Sequence, residues 1–469
     1  MRIVLFTLFI WASLGYSQNS WDLKSCIDYA VKHNIQIKQS DINRQMNKNN
    51  FDQSKANVLP TLNLGAAHAY NYGKTIDRFT NTFANTQVLS QNFFISSNVV
   101  LFSGLSQYNT IKANEYNYLS SSELIKQQQN DLALNVANAY LNVIFTEELN
   151  GIAKNQVNMS LDQLNRTKKM VEAGSLAKSV QLDLEAQLAN EEVNLTNAEN
   201  NYKIALLNLI QLLNLENPSN SFTVVKPAID LEGENLLNNN VDQIYEAALK
   251  MLPDVKASEY GMKSSEKNLA AAKGRMAPTL SLNGAMGTGT SGLAKDIKGV
   301  NLTGFDTTAI TTGGDFVLSP TYQLLTETKP FADQFKDNVN KSVGLTISIP
   351  LFNGLQTHTA VKNAKLNVLN AKLNLDLTKQ NLYKSVVQAY TGAQAALARY
   401  MANKKSVEAS AESFRYAEQK FNAGAMNALD YNLAKNRLLN AESNLIQSKY
   451  EYVLRIKILD FYQGKDWQF

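Results

Sequence analysis

Residues 342–351 alternate strictly, with Val343, Leu345, Ile347, Ile349 and Leu351 on one side and Ser342, Gly344, Thr346 and Ser348 on the other. Leu280, Leu282 and Met286 alternate in the same way with Ser281, Asn283 and Ala285. Leu62, Leu64, Ala66, His68, Tyr70 and Tyr72 face one way while Asn63, Gly65 and Asn71 face the other. Residues 92–102 alternate less cleanly, with Phe93, Ile95, Val99 and Leu101 as the apolar side. A period of two over about ten residues is the length and pattern of a membrane β-strand, apolar toward lipid and polar toward a lumen. Half-buried strands of a soluble sandwich would fit these four segments equally well if they stood alone.

Between the strand-like segments the period changes. Val361, Val368, Leu375, Leu382, Ala389 and Ala396 recur every seventh residue, with the small residues Ala364, Ala371, Thr378, Ser385 and Gly392 following the first five. Ile111, Tyr118, Ile125, Leu132 and Ala139 repeat that seam earlier in the chain. A later arm carries Leu188, Leu195, Tyr202 and Leu209, matched by Leu438, Leu445, Tyr452 and Leu459. Such heptads predict supercoiled helices with knobs-into-holes packing. None of the 8 prolines falls in 61–217 or 351–469, and an interior proline would cost a helix ~3 kcal/mol. A helix over 105–170 is roughly 100 Å long at ~1.5 Å per residue, longer than an ordinary globular domain.

These elements are written twice, and such self-similarity governs the fold assignment. Pro60-Thr61-Leu62-Asn63-Leu64 returns as Pro278-Thr279-Leu280-Ser281-Leu282, and the same spacing pairs Ala30 with Ala248. Leu101-Phe102-Ser103-Gly104-Leu105 returns as Leu351-Phe352-Asn353-Gly354-Leu355, a spacing that also pairs Ala139-Tyr140 with Ala389-Tyr390 and Gly174 with Gly424. The second spacing is longer, so one loop of the second copy is enlarged. The expected organisation is a first repeat over 18–217 (strands 61–72 and 91–102, helices 105–170 and 178–214), then a linker over 218–240. A second repeat follows over 241–463 (strands 279–290 and 341–351, helices 355–421 and 428–463), with a tail at 464–469. The fold class is mainly α with β.

Composition narrows the class. With 44% apolar and 18% charged residues the chain is an ordinary folding sequence, and a net charge of +4 spread over 469 residues argues against a nucleic-acid partner. Arg2, an apolar run over 3–14 and the small residues around Gly15-Tyr16-Ser17 read as a secretory signal over 1–17. No later run is long enough for a transmembrane helix. Cys26 is the only cysteine, so no intrachain disulfide forms, and a buried helix position suits it better than a lipoprotein acceptor site.

No residue pattern in the sequence predicts an enzyme. The 3 histidines, His33, His68 and His358, lie in different elements without ligand spacing, so neither a metal site nor a cofactor is expected. Gly287-Thr288-Gly289-Thr290-Ser291-Gly292 satisfies the dinucleotide pattern literally, but a polar loop through residue 314 is expected where a phosphate-binding helix should open. Scattered Ser, Lys and Asp residues form no supported catalytic set.

The order helix, strand pair, long helical hairpin, occurring twice, resembles the TolC-like outer-membrane efflux proteins over essentially the whole mature chain. The resemblance rests on Pro60-Thr61-Leu62 and Pro278-Thr279-Leu280, on Leu101-Phe102-Ser103-Gly104 and Pro350-Leu351-Phe352-Asn353-Gly354, and on the small-residue turns at Gly174 and Gly424. The opening Trp21-Asp22-Leu23-Lys24-Ser25-Cys26 also looks like that family's first helix. The resemblance implies a homotrimer sharing a twelve-stranded transmembrane β-barrel in outer-membrane lipid, continuous with a periplasmic α-helical coiled-coil barrel. It further implies docking on a periplasmic adaptor protein and an inner-membrane pump, as the exit duct of a tripartite efflux or type I secretion system. Association is also expected without the resemblance, because four strands cannot close a membrane barrel.

The same resemblance places adaptor docking at the hairpin turns, here Ala173-Gly174-Ser175-Leu176 and Ala423-Gly424-Ala425-Met426. It matches Asp430 to an inward-facing gate carboxylate, although Leu433 stands where a second acid is expected and Met426 replaces a basic partner. An ordinary helix-start carboxylate is the competing reading of Asp430. Val343, Leu345, Ile347 and Ile349 are expected to face lipid. The loops at 73–90 and 291–340 are expected outside the cell, the longer one either covering the mouth, contacting a surface partner or connecting without order. A periplasmic or secreted coiled-coil scaffold without a channel is the alternative function.

Overall fold

The computed structural model describes residues 20–77, 79–85, 87–215, 222–227 and 240–465. The expected signal segment, most of the 218–240 linker and residues 466–469 of the tail lie outside the described residues. The first half runs β1 (Ser20–Trp21), α1 (Leu23–His33), α2 (Ile35–Ala56), β2 (Thr61–Asn71), β3 (Lys74–Ile76), β4 (Phe83–Asn85), β5 (Val88–Ser103), α3 (Ser106–Glu172) and α4 (Lys178–Leu213). The second half runs β6 (Thr223–Val224), α5 (Val241–Met251), α6 (Pro253–Gly274), β7 (Thr279–Ser291), β8 (Lys295–Ile310) and β9 (Phe316–Thr328). It ends with α7 (Phe331–Asp337), β10 (Asn340–Ser348), α8 (Gln356–Asn422) and α9 (Ala428–Gln463). The outgoing helices α3 and α8 each have 67 residues and the returning helices α4 and α9 each have 36, so the duplication extends to element lengths.

Neither sequence copy is a compact unit by itself. One unit collects 1–47, 116–262 and 370–469, and the other collects 48–115 and 263–369, so each draws on both halves of the chain.

The first unit is helical and holds two cores. In one, Leu23, Cys26 and Ala30 of α1 pack with Val136, Tyr140 and Ile144 of α3 and with Leu209 and Leu213 of α4. The Tyr140 hydroxyl donates to the Val225 carbonyl at 2.5 Å, which satisfies a buried polar tip. In the other core Ile244 and Ala248 of α5 meet Val386, Ala389 and Ala393 of α8 and Tyr452 and Leu459 of α9. Ala30 and Ala248, paired by the duplication, are both fully buried, and a larger side chain at either would overpack the contact. Asp22 caps α1 by accepting from the Ser25 amide at 2.7 Å. Burial pushes the Cys26 thiol up to about 12, with the nearby Asp22 carboxylate adding to the effect, so this cysteine is an inert packing residue. Of the α8 heptad positions, Val361, Leu375, Leu382, Ala389 and Ala396 are buried.

The second unit carries an antiparallel sheet of order β10-β7-β5-β2, and a separate two-stranded ribbon of β8 and β9. Each long helix leaves its strand through the same turn. Gly104 and Leu105 have φ of +60° and +62°, and Gly354 and Leu355 have φ of +62° and +64°. At Gly104 glycine is required twice over, since a Cβ there would also come within 2.3 Å of the Gly274 carbonyl oxygen.

Candidate functional site

The strand registers sort the four-stranded sheet into two chemically different faces. Leu345 lies opposite Leu282 and Ile347 opposite Leu280. Leu282 in turn lies opposite Val99, and Met286 opposite Ile95. Ile95 lies opposite Leu64. Residues directly opposite share a face, so these apolar side chains form one surface, with Leu345 66%, Ile347 67% and Leu64 79% exposed. The other face carries Ser281, Asn283, Thr346, Asn98 and Asn63, and the Asn283 side-chain amide donates to the Thr346 hydroxyl at 3.0 Å. Val343, Leu345 and Ile347 all project from the apolar face, while Ile349 stands exposed just beyond the end of β10.

One assignment shifts. A bulge between Val100 and Phe102 lets Leu101 drop out of the ladder, so Phe102, not Leu101, lies opposite Leu280 on the apolar face. The extra residue reverses the phase of the alternation beyond Val100, which exchanges Leu101 for Phe102. The Gly287–Gly292 stretch lies largely within β7, in keeping with the strand expected over 279–290, and the loop expected beyond it through residue 314 instead holds β8. Within the stretch Thr288 donates to the Phe335 carbonyl at 2.6 Å and Gln334 bonds the Ser291 backbone at 2.8 and 3.1 Å. No helix opens after it; β8 does.

Both hairpin turns have one construction. Gly174 (φ +73°) and Gly424 (φ +71°) take the left-handed conformation that ends a helix. The Gly174 and Ser175 amides donate to Val171 and Met170 at 3.0 and 2.9 Å, and the Gly424 and Ala425 amides to Phe421 and Lys420 at 3.0 and 2.8 Å. Ala173, Ser175, Ala423 and Ala425 are exposed, and Leu176 and Met426 half-buried. Asp430 is an exposed residue in the first turn of α9. Its amide donates to the Asn427 side-chain oxygen at 2.8 Å, and the Asn427 amide group donates back to its carboxylate at 2.9 Å. Asn427 is thus both the helix cap and the carboxylate's partner, a pairing that sequence reasoning left without a name.

A buried ionic cluster was not foreseen. Lys435 of α9 and Glu191 of α4 are each 4% exposed and lie 3.4 Å apart. The Lys435 ammonium also donates to Ser160 of α3 at 2.6 Å, Ser160 bonds Glu191, and Gln156 and Gln187 donate to Glu191 at 2.9 and 2.8 Å. Burial holds the Lys435 ammonium below the ordinary lysine range, and the adjacent carboxylate offsets part of that. Removing either charge would strand the other among helices. The signal in sequence is faint: Glu191 and Lys435 are charges within otherwise regular heptad arms.

A sheet with one exposed apolar face and one polar face, joined in sequence to 67-residue helices, defines a subunit of an outer-membrane channel. The profile of the family described as Outer membrane efflux protein matches residues 26–215 and 244–462, and the chain belongs to that family of outer-membrane channels. It is 22% identical over 450 residues to outer membrane protein TolC of Escherichia coli (strain K12), covering 94% of this chain and 81% of that protein. Among solved structures, the CmeC outer membrane channel of Campylobacter jejuni superposes with a TM-score of 0.75 at 16% identity, covering 94% of this chain and 85% of that one. The outer membrane protein VceC of Vibrio cholerae does so with a TM-score of 0.75 at 14% identity, covering 95% and 97%. The protein is an outer-membrane exit duct for efflux or secretion.

Proposed function

We propose that three copies of the chain, each giving four strands, close one transmembrane barrel by pairing β2 of one copy with β10 of the next. The observation that carries this reading is the sheet itself. Among the described residues its outer strands β2 and β10 each pair along one edge only, beside an exposed apolar face. In lipid those edge amides and carbonyls would each cost several kcal/mol unsatisfied, so other copies must supply the missing ladders. The polar face then lines an aqueous passage. Detergent extraction from the outer-membrane fraction followed by planar-bilayer recording tests the proposal. Discrete conductances from an oligomer support it, and a water-soluble monomer overturns it.

The turns at 173–176 and 423–426 are the proposed docking points for a periplasmic adaptor, which links the duct to an inner-membrane pump. Their exposed small residues present a backbone surface that a partner can approach closely. Asp430, exposed and held by Asn427, is the proposed gate carboxylate. Repeated around a ring, it would attract cations and resist closure unless each copy keeps its partner. Neither small-molecule nor protein cargo is favoured by any residue described.

A further inference from the structure

The segment between β7 and β10 contains a feature that the exit-duct reading does not use. β8 and β9 form an antiparallel ribbon of about 40 Å at ~3.3 Å per residue, and among the described residues neither pairs with any other strand. Three single-residue bulges, all in β8, interrupt the register between Ile297 and Gly299, Leu302 and Gly304, and Thr307 and Ala309. Their effect is systematic. Each resets the alternation so that the apolar residues of β8 stay on the face set by β9: Val300 opposite Leu324, Leu302 opposite Tyr322, Ile310 opposite Phe316. All six side chains are more than half exposed. The opposite face is mostly polar, with Asn301 opposite Gln323 and Asp306 opposite Ser319.

A two-stranded ribbon is marginal in water by itself, and this one leaves a continuous apolar stripe uncovered. We propose that the stripe packs against the β8–β9 ribbons of the neighbouring copies, so that the ribbons form an interchain cluster beyond the membrane sheet. This rests on the proposed closure of the barrel by several copies. That closure sets identical ribbons around one ring, each leaving its own sheet at the end of β7, so the ribbon contact continues the same interface. Two features favour a second copy over a lipid surface. The ribbon's free edges would be unsatisfied in hydrocarbon, whereas a neighbouring ribbon can cover or pair them. The ribbon is also acidic, with Asp296, Asp306, Asp315 and Glu327 against Lys295 and Lys298, the wrong sign for anionic headgroups.

Cys26 is buried, which makes single engineered cysteines on the ribbon readable in the full-length protein. Leu302→Cys or Phe305→Cys in the purified oligomer should be joined between copies by a short bifunctional maleimide and should react slowly with a bulky hydrophilic maleimide. Asn301→Cys or Gln323→Cys should show the reverse. Native mass spectrometry of the same samples gives the copy number. A monomer would overturn the assembly reading and this inference with it. An oligomer in which Leu302→Cys labels as fast as Asn301→Cys and is not cross-linked would overturn the ribbon contact alone. Quenching of a fluorophore at residue 302 by brominated lipid would likewise overturn it, in favour of a membrane contact. Because Leu302→Cys removes apolar bulk from the stripe, Phe305→Cys, opposite Pro320 on the same face, provides a second probe, expected to be cross-linked while the six apolar residues stay intact.

Discussion

Leu345→Arg tests the membrane sheet with a magnitude that follows from the registers. Leu345 lies opposite Leu282, which lies opposite Val99, so an arginine there would stand in a row of apolar side chains without an acidic partner. On a barrel's lipid face such a charge costs about 2–4 kcal/mol near mid-bilayer. A ring of three copies would carry it three times, about 6–12 kcal/mol per assembly. One residue further on, Thr346 points to the polar face. Thr346→Arg loses the bond from Asn283, about 1 kcal/mol, and leaves its charge in water. The assay is the fraction of each variant recovered as oligomer from the outer-membrane fraction at matched expression. Leu345→Arg should fall more than tenfold, while Thr346→Arg should assemble and change conductance. Equal recovery of the two variants would refute the assignment of faces.

Lys435→Met should lower the thermal stability of the helical signal by about 3–5 kcal/mol, because Glu191 is left buried and unpaired, and the double change with Glu191→Leu should recover most of it. Since burial lowers the folded-state pKa of Lys435, the unfolded chain binds that proton more tightly, so stability should rise with pH toward the ordinary lysine value; the double variant should lose this slope in a pH series of melts. Gly424→Trp should abolish export while the oligomer persists, as read by an efflux assay beside native gels, because the strain at φ +71° is confined to an exposed turn. Asp430→Ala should weaken divalent-cation block and raise leak in planar bilayers; unchanged conductance and cation sensitivity would eliminate the gate assignment.

Much of the architecture was legible because it rests on periodicity over many residues. The heptads of α8 and the absence of proline allowed helices of this length, and the period-two runs around Leu64, Leu282 and Leu345 lie on one face of one sheet. Local departures from period were not legible. The bulge at Leu101 exchanged it for Phe102, and three bulges scattered the apolar positions of β8 so that a ribbon read as loop. A bulge inserts one residue without any composition of its own, so only the partner strand reveals the phase. Tertiary partners were equally hidden. Glu191 and Lys435 are far apart in sequence and meet only through helix packing, while Asn427 is a cap whose second role depends on the rotamer of Asp430. The turns at Gly174 and Gly424 could be placed because their glycines answer a local backbone demand that repeats in both copies.

The central claim is that the open edges of β2 and β10 are closed by other copies of this chain. Electron-microscopic reconstruction of the detergent-extracted protein, at a resolution that separates strands, tests it most directly. The account predicts threefold symmetry and a continuous ladder between β2 of one copy and β10 of the next. A particle in which those two edges remain free, or pair within a single chain, would contradict it.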